Sequence, residues 1–184
     1  MDSSINCLFF GAMNYQPNYE SALALSHLSP EVSETFLEST GRRLVFLVAG
    51  AGSERLPHSE CFEPLGFLED LGEMYSLTDY IVLAHTQTGS GPQVKTLYSF
   101  LSAVPVLATS EAVMDIPAVW EGVHYAAFSM EDPKSLSSAL LDLFAHPESA
   151  RKLVSNAGTY LRNYTWRHIA SQYLDLYSRV LAYQ

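Results

Sequence analysis

The sequence predicts an α/β fold: a Rossmann-like, doubly wound parallel sheet of about six strands, flanked by helices and followed by an all-helical C-terminus. Short apolar runs alternate with longer stretches of helical periodicity. Most of these runs are continuous, as in parallel strands that are buried on both faces. The length of 184 residues suits one domain, and the 48% apolar content is ample for its core.

Six segments have the composition of strands. They are CLFFGA (7 to 12), RLVFLVAG (43 to 50), ECFEPLGF (60 to 67), YIVLAH (80 to 85), PVLAT (105 to 109) and HYAAF (124 to 128). In doubly wound sheets, ligands bind in the loops outside the carboxyl ends of the strands. The loops after the first four strands therefore hold the candidate site.

Helical patterns fill the stretches between the strands and the end of the chain. Four helices are predicted between strands, at residues 18 to 28, 30 to 40, 68 to 76 and 92 to 103. Three more follow the last strand. Asp132 and Pro133 open the first, Pro147 opens the second, and Thr165 caps the third. Their apolar stripes are expected to be core.

Charge and composition exclude several classes of function. A formal net charge of −10 argues against a nucleic acid partner, because such binding relies on many cations, yet one small anionic ligand remains possible. The histidines and the two cysteines have no metal-ligand spacing, so no metal is expected. No apolar run is long enough for a membrane span and the N-terminus lacks the pattern of a signal peptide, so a cytoplasmic protein is expected.

The stretch HTQTGSGPQVK has the best-defined chemistry of the four loops. Gly89 and Gly91 allow a ligand to approach the backbone, Ser90 offers a hydroxyl, and the following helix presents its positive end. Lys95 lies in the first turn of that helix, where a cation is unfavourable unless an anion is near. A solvated surface lysine is the alternative, but the combination favours phosphate binding.

The other loops offer weaker signals. Gly11 ends the first strand, with Asn14 and Asn18 as polar candidates after it, although tight-turn chemistry explains most of that loop. Residues 50 to 55, GAGSER, are interpreted as a turn, because the third glycine of a dinucleotide fingerprint is missing. Phe67 could flank a flat base or be core. His85 stands at a strand end, where a structural role is favoured over acid/base work.

In their order and spacing, these features resemble the C-terminal, donor-binding half of a GT-B glycosyltransferase of the retaining group 1 family. The segments that carry the resemblance are FFGAMNYQPNYESALAL, FLVAGAG, GFLEDLGEMYSLTDYIVLA, GSGPQVKTLYSFLSAVPVLAT, DPKSLSSALLDLFAHP and YTWRHIASQYLDLY. The resemblance covers nearly the whole chain. It implies one half of a GT-B fold and a nucleotide-diphosphate sugar as substrate, with no cofactor or metal.

The resemblance also assigns roles to residues, apart from the catalytic ones, which stay unknown. The diphosphate would contact Gly11, Gly89, Ser90, Gly91, Gln93 and Lys95. The base and ribose would lie near Gly66, Phe67 and Tyr98, and Asn14 and His85 could form a wall. Four positions depart from the family: Ser90 and Tyr98 replace two glutamates, Gln93 replaces an arginine, and Ala103, a milder change, replaces a glycine. A tyrosine cannot accept a pair of hydroxyls as a carboxylate does.

A whole GT-B enzyme has a second, N-terminal domain that binds the acceptor. The chain is therefore expected to be one domain of a larger enzyme, one subunit of a split enzyme or a stand-alone remnant, the first being favoured. Any peripheral membrane contact would be made through the N-terminal domain. Residues 166 to 183 would pack across that domain, so they are expected to expose apolar surface. The alternatives to a transferase are a non-catalytic binding or scaffold module and, less favoured, a nucleotide-sugar epimerase-like domain.

Overall fold

The computed structural model describes residues 4–85, 93–162 and 164–182. Its strands are β1 (Ile5–Phe10), β2 (Leu44–Ala49), β3 (Phe62–Gly66), β4 (Tyr80–Leu83), β5 (Val106–Ala108) and β6 (Ala126–Ala127). All pairings are parallel, and the order across the sheet is β3-β2-β1-β4-β5-β6. The predicted fold class and all six predicted strands are confirmed.

In the described ranges, seven α-helices cover the sheet and extend beyond it. They are α1 (Gln16–Thr40), α2 (Leu71–Ser76), α3 (Val94–Leu101), α4 (Ser110–Val113), α5 (Pro133–Ala145), α6 (Pro147–Leu161) and α7 (Trp166–Ala182). The short α4 was not predicted from the sequence. Within the described ranges, no helix combines the length and the apolar composition that crossing a membrane requires.

Both faces of the sheet are buried, which explains the continuous apolar runs. Alternate residues of β1 point to opposite faces, and Cys7 and Phe9 belong to the core that includes Phe36 of α1 and Leu140 of α5. Leu8 faces the other way and belongs to a second cluster with residues of β2 and α2. Both faces of β1 therefore pack mainly against apolar side chains.

One helix, α1, replaces the two helices that the sequence predicts on either side of Pro30. The prediction of separate helices at 18 to 28 and 30 to 40 is wrong, because Pro30 lies inside a continuous helix. Proline has no N–H to give to the carbonyl of Ser26, four residues earlier. The hydroxyl of Ser29 donates to that carbonyl at 3.0 Å instead, so the helix continues.

The predicted helix starts after the last strand are confirmed by their capping contacts. A carboxylate oxygen of Asp132 accepts from the Lys134 N–H at 3.0 Å, and the hydroxyl of Thr165 accepts from the His168 N–H at 3.2 Å. These bonds satisfy N–H groups that have no partner inside a helix.

Helix α7 differs from the others because none of its residues is buried. Trp166 is 91% exposed, and Tyr173, Tyr177, Val180 and Leu181 are also exposed. The expectation that this stripe is core is wrong for the chain by itself. The expectation of exposed apolar surface on this helix, which came from the family resemblance, is confirmed.

Candidate functional site

The strand order places the candidate site where β1 and β4 meet. From β1 the chain proceeds through β2 to β3 at one edge of the sheet, and from β4 it proceeds through β5 to β6 at the other edge. The direction of winding therefore reverses between β1 and β4, and the crevice there is the topological switch point of the sheet. Gly11 follows β1, and His85 follows β4 with one residue between. The N-terminal turn of α3 carries Lys95 to the same place.

The loop after β1 is built by close contact with its neighbours. A Cβ on Gly50, just after β2, would lie 1.9 Å from the carbonyl oxygen of Gly11. A Cβ on Gly11 would lie 2.7 Å from the amide nitrogen of Asn18. A Cβ on Gly50 would displace backbone and a Cβ on Gly11 would displace the Asn18 side chain, so the two glycines let β1, β2 and the start of α1 converge.

Lys95 reaches across the switch point to α1. Its ammonium donates to the Oδ1 atom of Asn18 at 2.8 Å and lies 4.8 Å from the centre of the Phe9 ring. Burial lowers the pKa of Lys95 from its ordinary value near 10.5 to about 8. No carboxylate forms an ion pair with Lys95 in the described part of the chain. The site therefore holds a cation without a matching anion.

His85 has a structural environment. It is buried, and its Nδ1 atom lies 3.3 Å from the side-chain nitrogen of Gln93. Its backbone N–H donates to the hydroxyl of Thr109, which itself donates to the His85 carbonyl, both at 3.1 Å. Thr109 ties the ends of β4 and β5 together, and the sequence interpretation missed it. The structure thus brings Gln93 next to His85, and a contact of Gln93 with a phosphate stays a prediction.

A cleft of about 200 Å³ lies on the other side of the β1–α1 loop. Its walls are apolar side chains and backbone, contributed by Phe10, Gly11, Ala12, Ala49, Gly50, Ala51, Phe67, Leu68 and Met74. Phe67 is 68% exposed, so the alternative that it is core is wrong. Gly66, at the end of β3, precedes it with a φ of 73°. The structure therefore brings Gly11 and Phe67 to one cleft, with Gly66 directly before Phe67. A contact of Gly66 and Phe67 with a base, and of Gly11 with a diphosphate, stays a prediction.

Tyr98 lies outside this cleft. It is 49% exposed and lines an apolar groove of about 620 Å³ between α3, α6 and the start of α7. Tyr75 lies between the cleft and the groove, and its ring packs edge-on against Phe10. Burial, with a smaller electrostatic effect of Tyr98, raises the pKa of Tyr75. A contact of Tyr98 with ribose stays a prediction.

Arg55 is a second cation at this edge of the sheet that the sequence interpretation missed. Its guanidinium donates to the Met13 carbonyl at 3.1 Å and to the side-chain oxygen of Asn14 at 3.5 Å. It also lies 5.5 Å from the centre of the Tyr19 ring. Asn14 is therefore held at the loop by Arg55. The available signal was the position of Arg55 in the loop that follows β2, at the carboxyl edge of the sheet.

The remaining predicted residues cannot be placed. Gly89, Ser90 and Gly91 lie outside the described residues. Among the residues that are described, no group of three or more His, Cys, Asp and Glu side chains could hold a metal ion.

Comparison with known proteins gives one family match and several similar folds. The family model described as glycosyl transferases group 1 matches residues 4–146, whereas no curated protein matches the sequence. A glycosyltransferase from Rickettsia africae has a TM-score of 0.68 at 16% identity, covering 97% of this chain and 48% of its own. Anabaena Alr3699/HepE in complex with UDP-glucose has a TM-score of 0.68 at 16% identity, covering 96% and 49%.

A further similar structure is the C-terminal domain of a group 1 family glycosyl transferase (LpcC) from Francisella tularensis. Its TM-score is 0.60 at 13% identity, covering 87% of this chain and 85% of its own. At such low identities the similarity shows the fold alone. The chain spans about half the length of the Rickettsia and Anabaena proteins.

Proposed function

Because the chain belongs to the group 1 glycosyltransferases, whose family model matches residues 4–146, we propose that it is the donor-binding domain of such an enzyme. It binds a nucleotide-diphosphate sugar, and the glycosyl group is transferred to an acceptor that a second domain holds. The half-length coverage of the similar enzymes supports the need for that domain. The UDP-glucose complex of one of them supports the class of donor.

The observation that carries the proposal is the partly buried ammonium of Lys95, which the Asn18 amide holds and which pairs with no carboxylate in the described part of the chain. An ammonium that is partly removed from water without an anionic partner is unfavourable, and this desolvation lowers the pKa of Lys95. A diphosphate at the switch point would supply the missing negative charge. The positive end of α3 acts in the same direction, because Lys95 lies in its first turn.

The apolar cleft provides a place for the base on the other side of the same loop. Gly11 and Ala12 line the cleft, and the Ala12 carbonyl accepts from the Asn18 amide that also binds Lys95. A ligand with a flat base and a diphosphate could span the loop, with the base against Phe67 and the phosphates toward Lys95. We propose that Gly11, Gly89, Ser90 and Gly91 contribute to the phosphate contacts.

In transfer, the main task of this domain would be to stabilise charge. When the glycosyl bond breaks, the departing diphosphate gains negative charge, and a positioned ammonium stabilises that charge. Partial burial of Lys95 strengthens the effect, because less water screens the interaction. The acceptor and the groups that activate it would belong to the second domain.

A binding or scaffold module without donor affinity is the second candidate. The observation that favours it is the lining of the cleft, which in the described part of the chain has no carboxylate for ribose hydroxyls. Tyr98 faces the α7 groove and does not supply one.

Titration calorimetry with UDP, GDP and their sugar conjugates tests the proposal. One of these ligands should bind the wild-type domain, and Lys95→Ala should weaken it by about 1 to 3 kcal/mol, the contribution of a hydrogen bond to a charged group. Lys152→Ala is the matched control, since it removes an equal charge from an exposed position on α6. If the folded wild-type chain binds none of them, the scaffold alternative is favoured.

A further inference from the structure

Asn18 connects two elements at the switch point. It lies in the first turn of α1 and is 9% exposed. Its amide nitrogen donates to the Ala12 carbonyl at 3.0 Å, and its amide oxygen accepts from the Lys95 ammonium at 2.8 Å. The orientation of the amide is fixed, because an ammonium only donates and a carbonyl only accepts.

The position of Asn18 depends on the glycine that ends β1. A side chain on Gly11 would meet the amide nitrogen of Asn18 at 2.7 Å. Gly11, Asn18 and Lys95 therefore form one packed unit in which the strand end makes room for the amide and the amide holds the lysine.

The neutrality of Asn18 is the decisive feature. An ammonium has three N–H donors, and one of them is used by Asn18. No other hydrogen-bond acceptor contacts Lys95 in the described part of the chain. An aspartate of the same shape would form an ion pair with Lys95 and cancel its charge. Asparagine gives the lysine a fixed position and leaves the charge available.

We infer that Asn18 is a positioning residue of the anion site, which holds the Lys95 ammonium at the β1–β4 crevice by a neutral hydrogen bond and so keeps its charge available to the diphosphate of the donor. The inference rests on the proposed function for the identity of the ligand. The link between Asn18 and Lys95 rests on geometry alone.

The change Asn18→Asp tests the inference with two readouts. The pKa of Lys95, followed by NMR of the lysine side chain, should rise by about one unit or more, as expected for an opposite charge in contact. Affinity for UDP or GDP should fall about tenfold or more, because the new carboxylate neutralises the ammonium and repels the phosphates. A purely structural role of Asn18 would not raise the pKa of Lys95.

Two further variants complete the design. Asn18→Ser removes the contact without adding charge, so it should weaken nucleotide binding without raising the pKa of Lys95, and it serves as the test if Asn18→Asp does not fold. Gln172→Glu on the exposed helix α7 makes the same amide-to-acid change at a distance and should leave both readouts unchanged within about twofold.

The outcomes separate the two proposals. An unchanged pKa of Lys95 in Asn18→Asp would overturn the inference, as would a raised pKa with undiminished nucleotide affinity. If the wild-type domain binds no nucleotide, the donor-site proposal fails together with the ligand named here. The pKa readout then still decides whether Asn18 holds Lys95.

Discussion

Replacing Lys95 with methionine should stabilise the domain while it weakens anion binding. Methionine keeps the length and apolar character of the lysine stem and can contact the Phe9 ring through its sulfur. It removes only the ammonium. A solvated surface lysine, by contrast, would contribute little to stability in either direction.

The size of the effect follows from the pKa of Lys95. A drop from about 10.5 to about 8, at about 1.4 kcal/mol per unit, corresponds to about 3 kcal/mol of unfavourable free energy in the folded state near pH 7. Methionine leaves the amide oxygen of Asn18 without its donor, which costs about 1 kcal/mol. Lys95→Met should therefore be more stable than wild type by about 1 to 2 kcal/mol near pH 7.

The difference should depend on pH with a defined sign. Below pH 8 the lysine is charged in both the folded and the unfolded chain, so the full penalty applies. Between the folded pKa of about 8 and the unfolded value near 10.5, the folded protein loses its proton first, and wild-type stability rises relative to the variant. Near pH 10 the penalty falls to about 1 kcal/mol, and the two proteins should be about equally stable.

Urea unfolding of both proteins at pH 7 and pH 10, followed by circular dichroism, measures the difference. Lys152→Met serves as the control for the loss of an exposed charge and should change stability by less than about 0.5 kcal/mol. Two results would refute the conclusion that the desolvated Lys95 ammonium destabilises the folded domain. They are a Lys95→Met protein that is less stable than wild type at pH 7, and a stability difference between the two proteins that does not change with pH.

Two more measurements examine the geometry around the site. Gly50→Ala places a Cβ at 1.9 Å from the Gly11 carbonyl oxygen, so the backbone must move and the domain should lose about 2 to 4 kcal/mol of stability in urea unfolding. The control Gly158→Ala, with no atom near its Cβ in helix α6, should be neutral or stabilise the domain by up to about 1 kcal/mol. Equal effects of the two substitutions would contradict the close approach of Gly50 to Gly11. The affinities for UDP and 2′-deoxy-UDP should agree within about threefold, because no described residue of the cleft offers a carboxylate to the ribose. An affinity for UDP that is about tenfold higher or more would contradict this, because it would require a group that binds the 2′-hydroxyl.

The sheet could be predicted from the sequence because each strand is encoded locally. RLVFLVAG contains β2 (Leu44–Ala49) and YIVLAH contains β4 (Tyr80–Leu83), since a strand buried on both faces needs an unbroken apolar run. The continuous helix α1 could not be predicted in the same way. The general rule for proline favours a break at Pro30, and the hydroxyl of Ser29 overrides it only once the helix exists.

The site was only partly predictable, because its main contact joins distant parts of the chain. Asn18 and Lys95 are 77 positions apart, and each was recognised from its local pattern without any sign that they meet. Arg55 was missed because GAGSER was interpreted as a turn, and the structure shows that the turn delivers this arginine to the β1–α1 loop. Tyr98 was assigned by family resemblance, and the structure turns it toward α7.

The charge distribution is compatible with the proposed anion site in an acidic chain. The net charge of −10 repels extended polyanions at long range, but this repulsion is screened over about 8 Å in physiological salt. At the switch point, neither Lys95 nor Arg55 is paired with a carboxylate in the described part of the chain. Their partners are neutral oxygens, the Asn18 amide for Lys95 and the Met13 carbonyl and Asn14 amide for Arg55. A small anion bound at the proposed site would therefore meet two cations that no described carboxylate neutralises, an arrangement that suits a compact diphosphate better than a larger polyanion.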